Sequence, residues 1–303
     1  MSYSDLLAAF AEQQGIGSAA DLVRDHADKY TYLIKTRDRA REAIAEIVGL
    51  TEKPVQGLRV LDLGSGLGSI AVELARAGAK VTAVEPNARW VSLAEENARN
   101  EAEVSFVKAD PVRALAEHLK GESFDLVIAF DVLHRIYDLS AVLDPLVAMT
   151  SSGGCLVFRV PNATAPALIS GHGNPKRYGL ALIPPDYWCA FDANPIGQYH
   201  RRWLVYRALL LGFGFAEPEL SVGYVDESHE RAQYRVRAEL TQLKRGLKAE
   251  LFPSQKAYIH ARNAIKPYIR EAESDTETLS WDALNLKYRL LNLTGAARPR
   301  ISA

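Results

Sequence analysis

Val60-Leu61-Asp62-Leu63-Gly64-Ser65-Gly66-Leu67-Gly68-Ser69 reads as an apolar strand that runs into three glycines and out again into the start of a helix. Glycines let a backbone bend tightly and lie against a ligand, and the free amides at a helix start can meet polar ligand atoms. The spacing separates this turn from the dinucleotide fingerprint, whose third glycine follows two intervening residues. Here Leu67 alone separates Gly66 from Gly68. Asp62 sharpens the difference, because a carboxylate inside the strand has no part in holding a pyrophosphate. Its bland alternative is a strand-end Asp that caps the turn.

Working outward, the chain alternates strand and helix. Strands are predicted at Leu58–Leu63, Val81–Val84, Val104–Val107, Leu126–Phe130 and Cys155–Val160, and helices at Ile70–Arg76, Arg89–Ala98, Val112–Leu119 and Leu139–Met149. Apolar runs of strand length between helical periods imply a parallel sheet wound by right-handed crossovers. The expected fold class is α/β, a Rossmann-like, doubly wound, mostly parallel sheet with helices on both faces. It is flanked by N-terminal helices, a long insert after the fifth strand and a largely helical C-terminal extension. The domain expectation is a helical segment at 1–50, the α/β domain at 51–225 with a substrate lid at 161–200, and an extension at 226–303. The insert carries Gly171, Gly173, Pro175, Gly179 and Pro184-Pro185, and long irregular loops in compact domains are usually functional. A helix at Trp203–Leu211 and a strand-like run at Glu219–Val225 follow. Beyond them, Tyr234, Val236, Ala238 and Leu240 alternate like a strand while Arg235, Glu239 and Lys244 suit an exposed helix face, so both readings stay open. A helix is expected from Gln255 to Glu273, kinked or broken at Pro267, and a frayed tail from Arg298 to Ala303.

Composition narrows the function. Among 303 residues, 36 Lys and Arg balance 37 Asp and Glu for a net charge of -1, which gives no field to gather nucleic-acid phosphates. The two cysteines, Cys155 and Cys189, are expected as buried free thiols, in keeping with a cytoplasmic protein. No signal segment, membrane span or metal-ligand pattern is read, and the sequons at Asn162 and Asn292 are taken as chance matches.

Two more carboxylates complete the constellation. Glu85 ends the second strand, ahead of Pro86, where a nucleotide ribose sits and two oxygens can accept from its hydroxyls; the alternative is a solvated side chain. Asp110 follows the third strand, where it could meet an adenine amino group or cap the helix that Pro111 begins.

In order along the chain, Leu61-Asp62-Leu63-Gly64-Ser65-Gly66-Leu67-Gly68, Val84-Glu85-Pro86, Lys108-Ala109-Asp110, the run from Phe124 through Phe130-Asp131-Val132-Leu133-His134, and Ser152-Gly153-Gly154-Cys155-Leu156-Val157-Phe158 resemble the five motifs of class I S-adenosylmethionine-dependent methyltransferases. The resemblance spans about Leu58 to Tyr224. It implies S-adenosylmethionine as cofactor, touched by Asp62, Gly64, Gly66, Glu85 and Asp110, with Ser65, Gly68, Pro86, Pro111, Phe130 and Asp131 adjoining. It also implies an antiparallel seventh strand, which the sequence does not locate. The segment from Gln198 to Arg202 and the helix ending in Gly212-Phe213 loosely resemble bacterial small-molecule and surface-glycan methyltransferases.

On that resemblance the expected reaction is in-line methyl transfer to a small-molecule or sugar acceptor, at oxygen. An alcohol acceptor sheds a proton near the transition state, so histidine is the candidate base: His134 after the fourth strand, and His172 and His200 around the insert. The family's histidine often falls one position later, at Arg135 here. Arg201 and Arg202 are candidates for an anionic acceptor group, with a solvated face as the alternative. The expected partner is a small-molecule acceptor, with neither nucleic acid nor membrane, and a homodimer is left open. The N-terminal helices are open to two roles, cover over the cofactor or dimerisation. Two rivals stand: a catalytically silent, cofactor-binding or partner-activating subunit, and an NAD-dependent oxidoreductase, against which the glycine spacing and Asp62 argue.

Overall fold

The computed structural model describes residues 7–8, 10–12, 15–98, 103–171, 177–191, 198–222 and 228–300, apart from the side chains of Tyr32, Ile34, Pro185 and Cys189. Strands β1 (Arg59–Leu63), β2 (Lys80–Val84), β3 (Val104–Val107), β4 (Phe124–Phe130), β5 (Thr150–Pro161), β6 (Glu219–Leu220) and β7 (Asn292–Ala297) form one sheet in the order β3-β2-β1-β4-β5-β7-β6. The first five pair in parallel; β7 runs antiparallel to both β5 and β6. Strands covered on both faces need apolar side chains at successive positions. That is why Val60, Leu61 and Leu63, and Leu126 through Ala129, are wholly or almost wholly buried.

Helices α1 (Ala19–Asp25), α2 (Ala27–Ile34) and α3 (Thr36–Thr51) precede the sheet, and α4 (Ser69–Arg76) and α5 (Ala88–Ala98) follow β1 and β2. One face of the sheet packs against Ala43 and Ile47 of α3 and Ala71 and Leu74 of α4. The other packs against α6 (Ser140–Met149) and α7 (Trp203–Gly212) through Val142, Leu143, Leu146, Tyr206 and Leu210. The class, a mostly parallel sheet with helices on both faces, is the expected one. Cys155 is a buried free thiol on this sheet, whereas the Cys189 side chain lies outside the described residues.

The C-terminal third is largely helical, as expected, and the segment left open between strand and helix is helical. Residues 234–240 belong to helix α8 (His229–Gly246). Ala232, Val236, Leu240 and Leu243 are buried while Tyr234 is 73% exposed, a period near 3.6 where a strand would have put Tyr234 and Val236 on one face. Helix α9 (Gln255–Thr278) runs on through Pro267, with no break there. Both Pro267 and Asn263, whose carbonyl loses its helical donor, lie on the exposed side, where water can replace the lost bond. The expected frayed tail is paired up to Arg300: Ala216 N donates to Arg298 O and Arg300 N to Gly214 O, each at 2.8 Å; residues 301–303 lie outside the described set. The sixth strand is shorter than the predicted Glu219–Val225, and 223–227 are likewise not described.

The stretch 226–303 holds both helices and a strand of the sheet. Its last strand, β7, sits between β5 and β6, so α8 and α9 are an excursion inside what would otherwise be a β6–β7 hairpin. The excursion shares a core with the insert after β5: Ile169, Leu180, Trp188 and Phe191 pack with Val236, Leu240, Ile265 and Tyr268. Asn162 fastens the two to the sheet. It is 1% exposed, and its Nδ2 lies 3.0, 3.2 and 2.9 Å from the carbonyl oxygens of Leu286, Lys287 and Leu290. Thr164 Oγ1 donates to Lys287 O at 2.6 Å, and Tyr268 OH to Thr164 O at 2.7 Å.

Candidate functional site

The carboxyl ends of β1 to β5 open into a cleft of about 1220 Å³, lined from the sheet side by Gly64, Ser65, Gly66, Glu85, Pro86, Asp110, Pro111, Phe130 and Asp131. Nine of the eleven residues expected at the cofactor are thus brought together. The remaining two are not among the lining residues. Gly68, at φ 69°, is where α5 and β3 approach: a Cβ there would stand 2.8 Å from Ala94 Cβ and 3.2 Å from Phe106. Asp62 is 3% exposed.

The turn itself is built on the neighbouring strand. Gly64 N and Ser65 N both donate to Val84 O at 2.9 Å, and Gly64 and Gly66 take φ of 80° and 55°, a backbone that costs a side-chain-bearing residue dearly. Glu85 is not simply solvated: its Oε2 accepts from Gly66 N at 3.0 Å and its Oε1 from Asn87 N at 2.9 Å. Asp110 does cap the helix Pro111–Arg113, accepting from Arg113 N at 3.1 Å through Oδ1, and it lines the cleft as well.

Asp62 is the electrostatic anomaly. Burial, and then the charge of Glu85, push its carboxyl up to about 7. Its Oδ2 and the Oγ of Ser65 are buried without a hydrogen-bond partner among the described residues. Buried polar atoms are nearly always paired, so two orphans beside a glycine turn suit a ligand carrying a cation and hydrogen-bonding groups.

The histidines are placed differently. His134, 5% exposed, stacks on His200 with ring centroids 6.1 Å apart, and neither is among the residues lining the cleft. Burial, then Arg135, brings the His134 imidazole down to about 4, so it is neutral at pH 7. His172 lies outside the described residues. Arg201 is engaged in the fold: it donates to Ile136 O at 3.0 Å and Tyr137 O at 2.5 Å, while Tyr199 N donates to His134 O at 2.5 Å. Arg202 faces Glu271 at 3.5 Å.

Several cleft residues had no motif to mark them. Lys29, Arg39, Glu42 and Glu46 of α2 and α3, and Trp90 of α5, also line the cleft, and a Cβ on Gly66 of the turn would stand 3.5 Å from the Trp90 ring. Phe10 meets Trp90 edge to face at 6.2 Å, and the N-terminal cluster of Phe10, Leu22 and Leu33 packs on Leu67 of the turn. Helices at the chain start thereby border the cleft. On the β5 side stands Arg159, whose one sequence signal is a charge inside the apolar run Cys155–Val160.

Residues 54–187 match the family model described as methyltransferase domain, and the fold is that of class I S-adenosylmethionine-dependent methyltransferases. Among curated relatives, the ubiquinone biosynthesis O-methyltransferase of Methylocella silvestris is 38% identical over 137 residues, 45% of this chain and 48% of the relative. The enzyme of the same name from a Chelativorans species is 29% identical over 160 residues, 52% of this chain and 58% of the relative. The chain spans about half the length of these curated relatives. Among solved structures, the Haemonchus contortus phosphoethanolamine N-methyltransferase 2 in complex with S-adenosyl-L-methionine aligns over 86% of this chain and 53% of that one, at 17% identity and a TM-score of 0.50, a likeness of fold.

Proposed function

We propose that the protein transfers the methyl group of S-adenosylmethionine to a small-molecule acceptor, at oxygen, by in-line displacement. The observation that carries this is the pair of orphaned buried atoms, Asp62 Oδ2 and Ser65 Oγ, beside a cleft that Glu85 and Asp110 also border. Asp62 would answer the ammonium end of the cofactor, Glu85 the ribose hydroxyls, and Asp110 with Pro111 the adenine. Gly64 and Gly66 supply the positive-φ backbone that shapes the turn. When bound, the cofactor supplies an electrophilic methyl on a sulfonium.

What remains for the chain is alignment and exclusion of water. With β3, β2 and β1 assigned to adenine, ribose and methionine, the ends of β4 and β5 are left for the acceptor. Val132 and Ile136 give that side apolar walls. The curated relatives named above are O-methyltransferases of ubiquinone biosynthesis, which supports an oxygen acceptor on a small molecule. Transfer here rests on positioning and not on a strong side-chain base, since His134 is neutral, weakly basic and away from the cleft lining.

Isothermal titration calorimetry tests the reading. S-adenosylmethionine and its demethylated product should bind with one site each, and NAD should not. Binding of NAD alone would overturn it. Glu85→Ala should weaken the methyl donor about tenfold or more, the worth of a charge-assisted hydrogen bond or two.

A further inference from the structure

Arg159 is a charge near the carboxyl end of β5, between parallel β4 and antiparallel β7, flanked on the strand by Phe158 and Val160, both fully buried. A guanidinium is tolerated there only with a partner and an outlet. It has both. Its Nε and Nη2 reach Asp131 Oδ2 at 3.0 and 2.6 Å, it lies over the Phe130 ring with 4.5 Å from Cζ to the centroid, and its side chain, 29% exposed, borders the cleft.

Asp131, which receives it, has φ 58°, a left-handed backbone rare for a residue with a side chain and often found where a site imposes it. The conformation is held from two sides: Asp131 N donates to Arg159 O at 3.0 Å, and Arg135 Nε donates to Asp131 O at 3.2 Å. Arg135 also lines the cleft. On the β4 and β5 side of the cleft, the described charges are therefore two guanidiniums and one carboxylate.

The donors are not exhausted. A guanidinium offers five N–H groups, and Asp131 takes one each from Nε and Nη2 of Arg159. Among the described residues, Arg159 Nη1 and both Nη atoms of Arg135 make no hydrogen bond. A carboxylate is the ligand whose two oxygens fit such a fork, and it would also offset the excess positive charge.

We propose that Arg159, assisted by Arg135, binds a carboxylate on the methyl acceptor and so selects acidic acceptors. This rests on the cleft being a methyl-transfer site, because that reading leaves the β4 and β5 ends to the acceptor.

The test uses the full chain saturated with S-adenosylhomocysteine and titrated calorimetrically with benzoate, a carboxylate on a flat ring, and with benzamide, its uncharged counterpart. Benzoate is expected to saturate, with benzamide at least about tenfold weaker. Arg159→Met should weaken benzoate about tenfold and change the S-adenosylhomocysteine affinity by less than about threefold. Arg159→Lys, which keeps the charge without the fork, should fall between, and it carries the test if the Met variant does not fold. The proposal is overturned by wild-type protein that ignores benzoate, by equal binding of benzoate and benzamide, or by an Arg159 variant that binds benzoate like wild type. Loss of S-adenosylhomocysteine along with benzoate in the variants overturns it too, by moving Arg159 to the donor end. Wild-type protein that binds no S-adenosylhomocysteine defeats the methyltransferase reading itself and this inference with it, a result distinct from donor binding without benzoate.

Discussion

At the scale of single residues, Asp62 sets its proposed role at the methyl donor against stability. Its carboxyl titrates near 7 in the fold against an ordinary 3.8, so between about pH 4 and 7 the folded chain holds a proton that the unfolded chain has lost. Stability from this group is therefore greatest at the acid end and falls as pH rises through that window. Asp62→Asn should stabilise the cofactor-free protein at pH 8 by on the order of 2–4 kcal/mol, since a tenfold change in a protonation equilibrium is worth about 1.4 kcal/mol. The advantage should shrink toward pH 4, as urea unfolding at several pH values would show. The same variant should lose donor affinity about tenfold. In the wild type, affinity for a cationic donor should climb between pH 6 and 8 as the carboxyl ionises, and in the Asn variant it should stay flat. Gly68 makes a different demand. Gly68→Ala meets Ala94 Cβ at 2.8 Å at a φ of 69°, and should cost about 2 kcal/mol or more of unfolding free energy from overpacking and strain together.

At the scale of elements, the Asn162 clamp makes the strongest prediction. Replacing it with Ala removes the amide donors shared by the carbonyls of Leu286, Lys287 and Leu290. That should cost about 1–3 kcal/mol and speed proteolysis near 286–291, with donor binding preserved. β1 to β5 were legible in the sequence because strands buried on both faces need continuous apolar runs, and the acidic and glycine-rich strand ends were legible because each carries a short local motif. β7 was not. Asn292-Leu293-Thr294-Gly295-Ala296-Ala297 is built of small residues, and a Cβ on Gly295 would stand 2.8 Å from both Phe158 and Leu220. Close packing there removes the bulky β-formers by which a strand is recognised. α8 was ambiguous for the opposite reason: Tyr234 and Ala238, two of the residues that suggested alternation, lie on the exposed face. The cleft walls from α2, α3 and α5 stayed hidden because folding, and no local motif, brings them to the glycine turn.

At the scale of the whole molecule, the helical excursion between β6 and β7 and the insert after β5 form one body that the sheet grips at two places, β5 through Asn162 and β7 through its own pairing. Deleting residues 292–300 should expose the edge of β5 and leave most of the protein in aggregates, read by size-exclusion chromatography, because an unpaired edge recruits other chains. The order of the strands also governs how the chain is made. Roughly 130 residues separate Pro161 at the end of β5 from Asn292 at the start of β7, and a ribosome adding about 5–20 residues per second needs roughly ten seconds to deliver them. For that interval the nascent sheet has an open flank, and what shields it until synthesis catches up decides how much of the newly made protein reaches the native state.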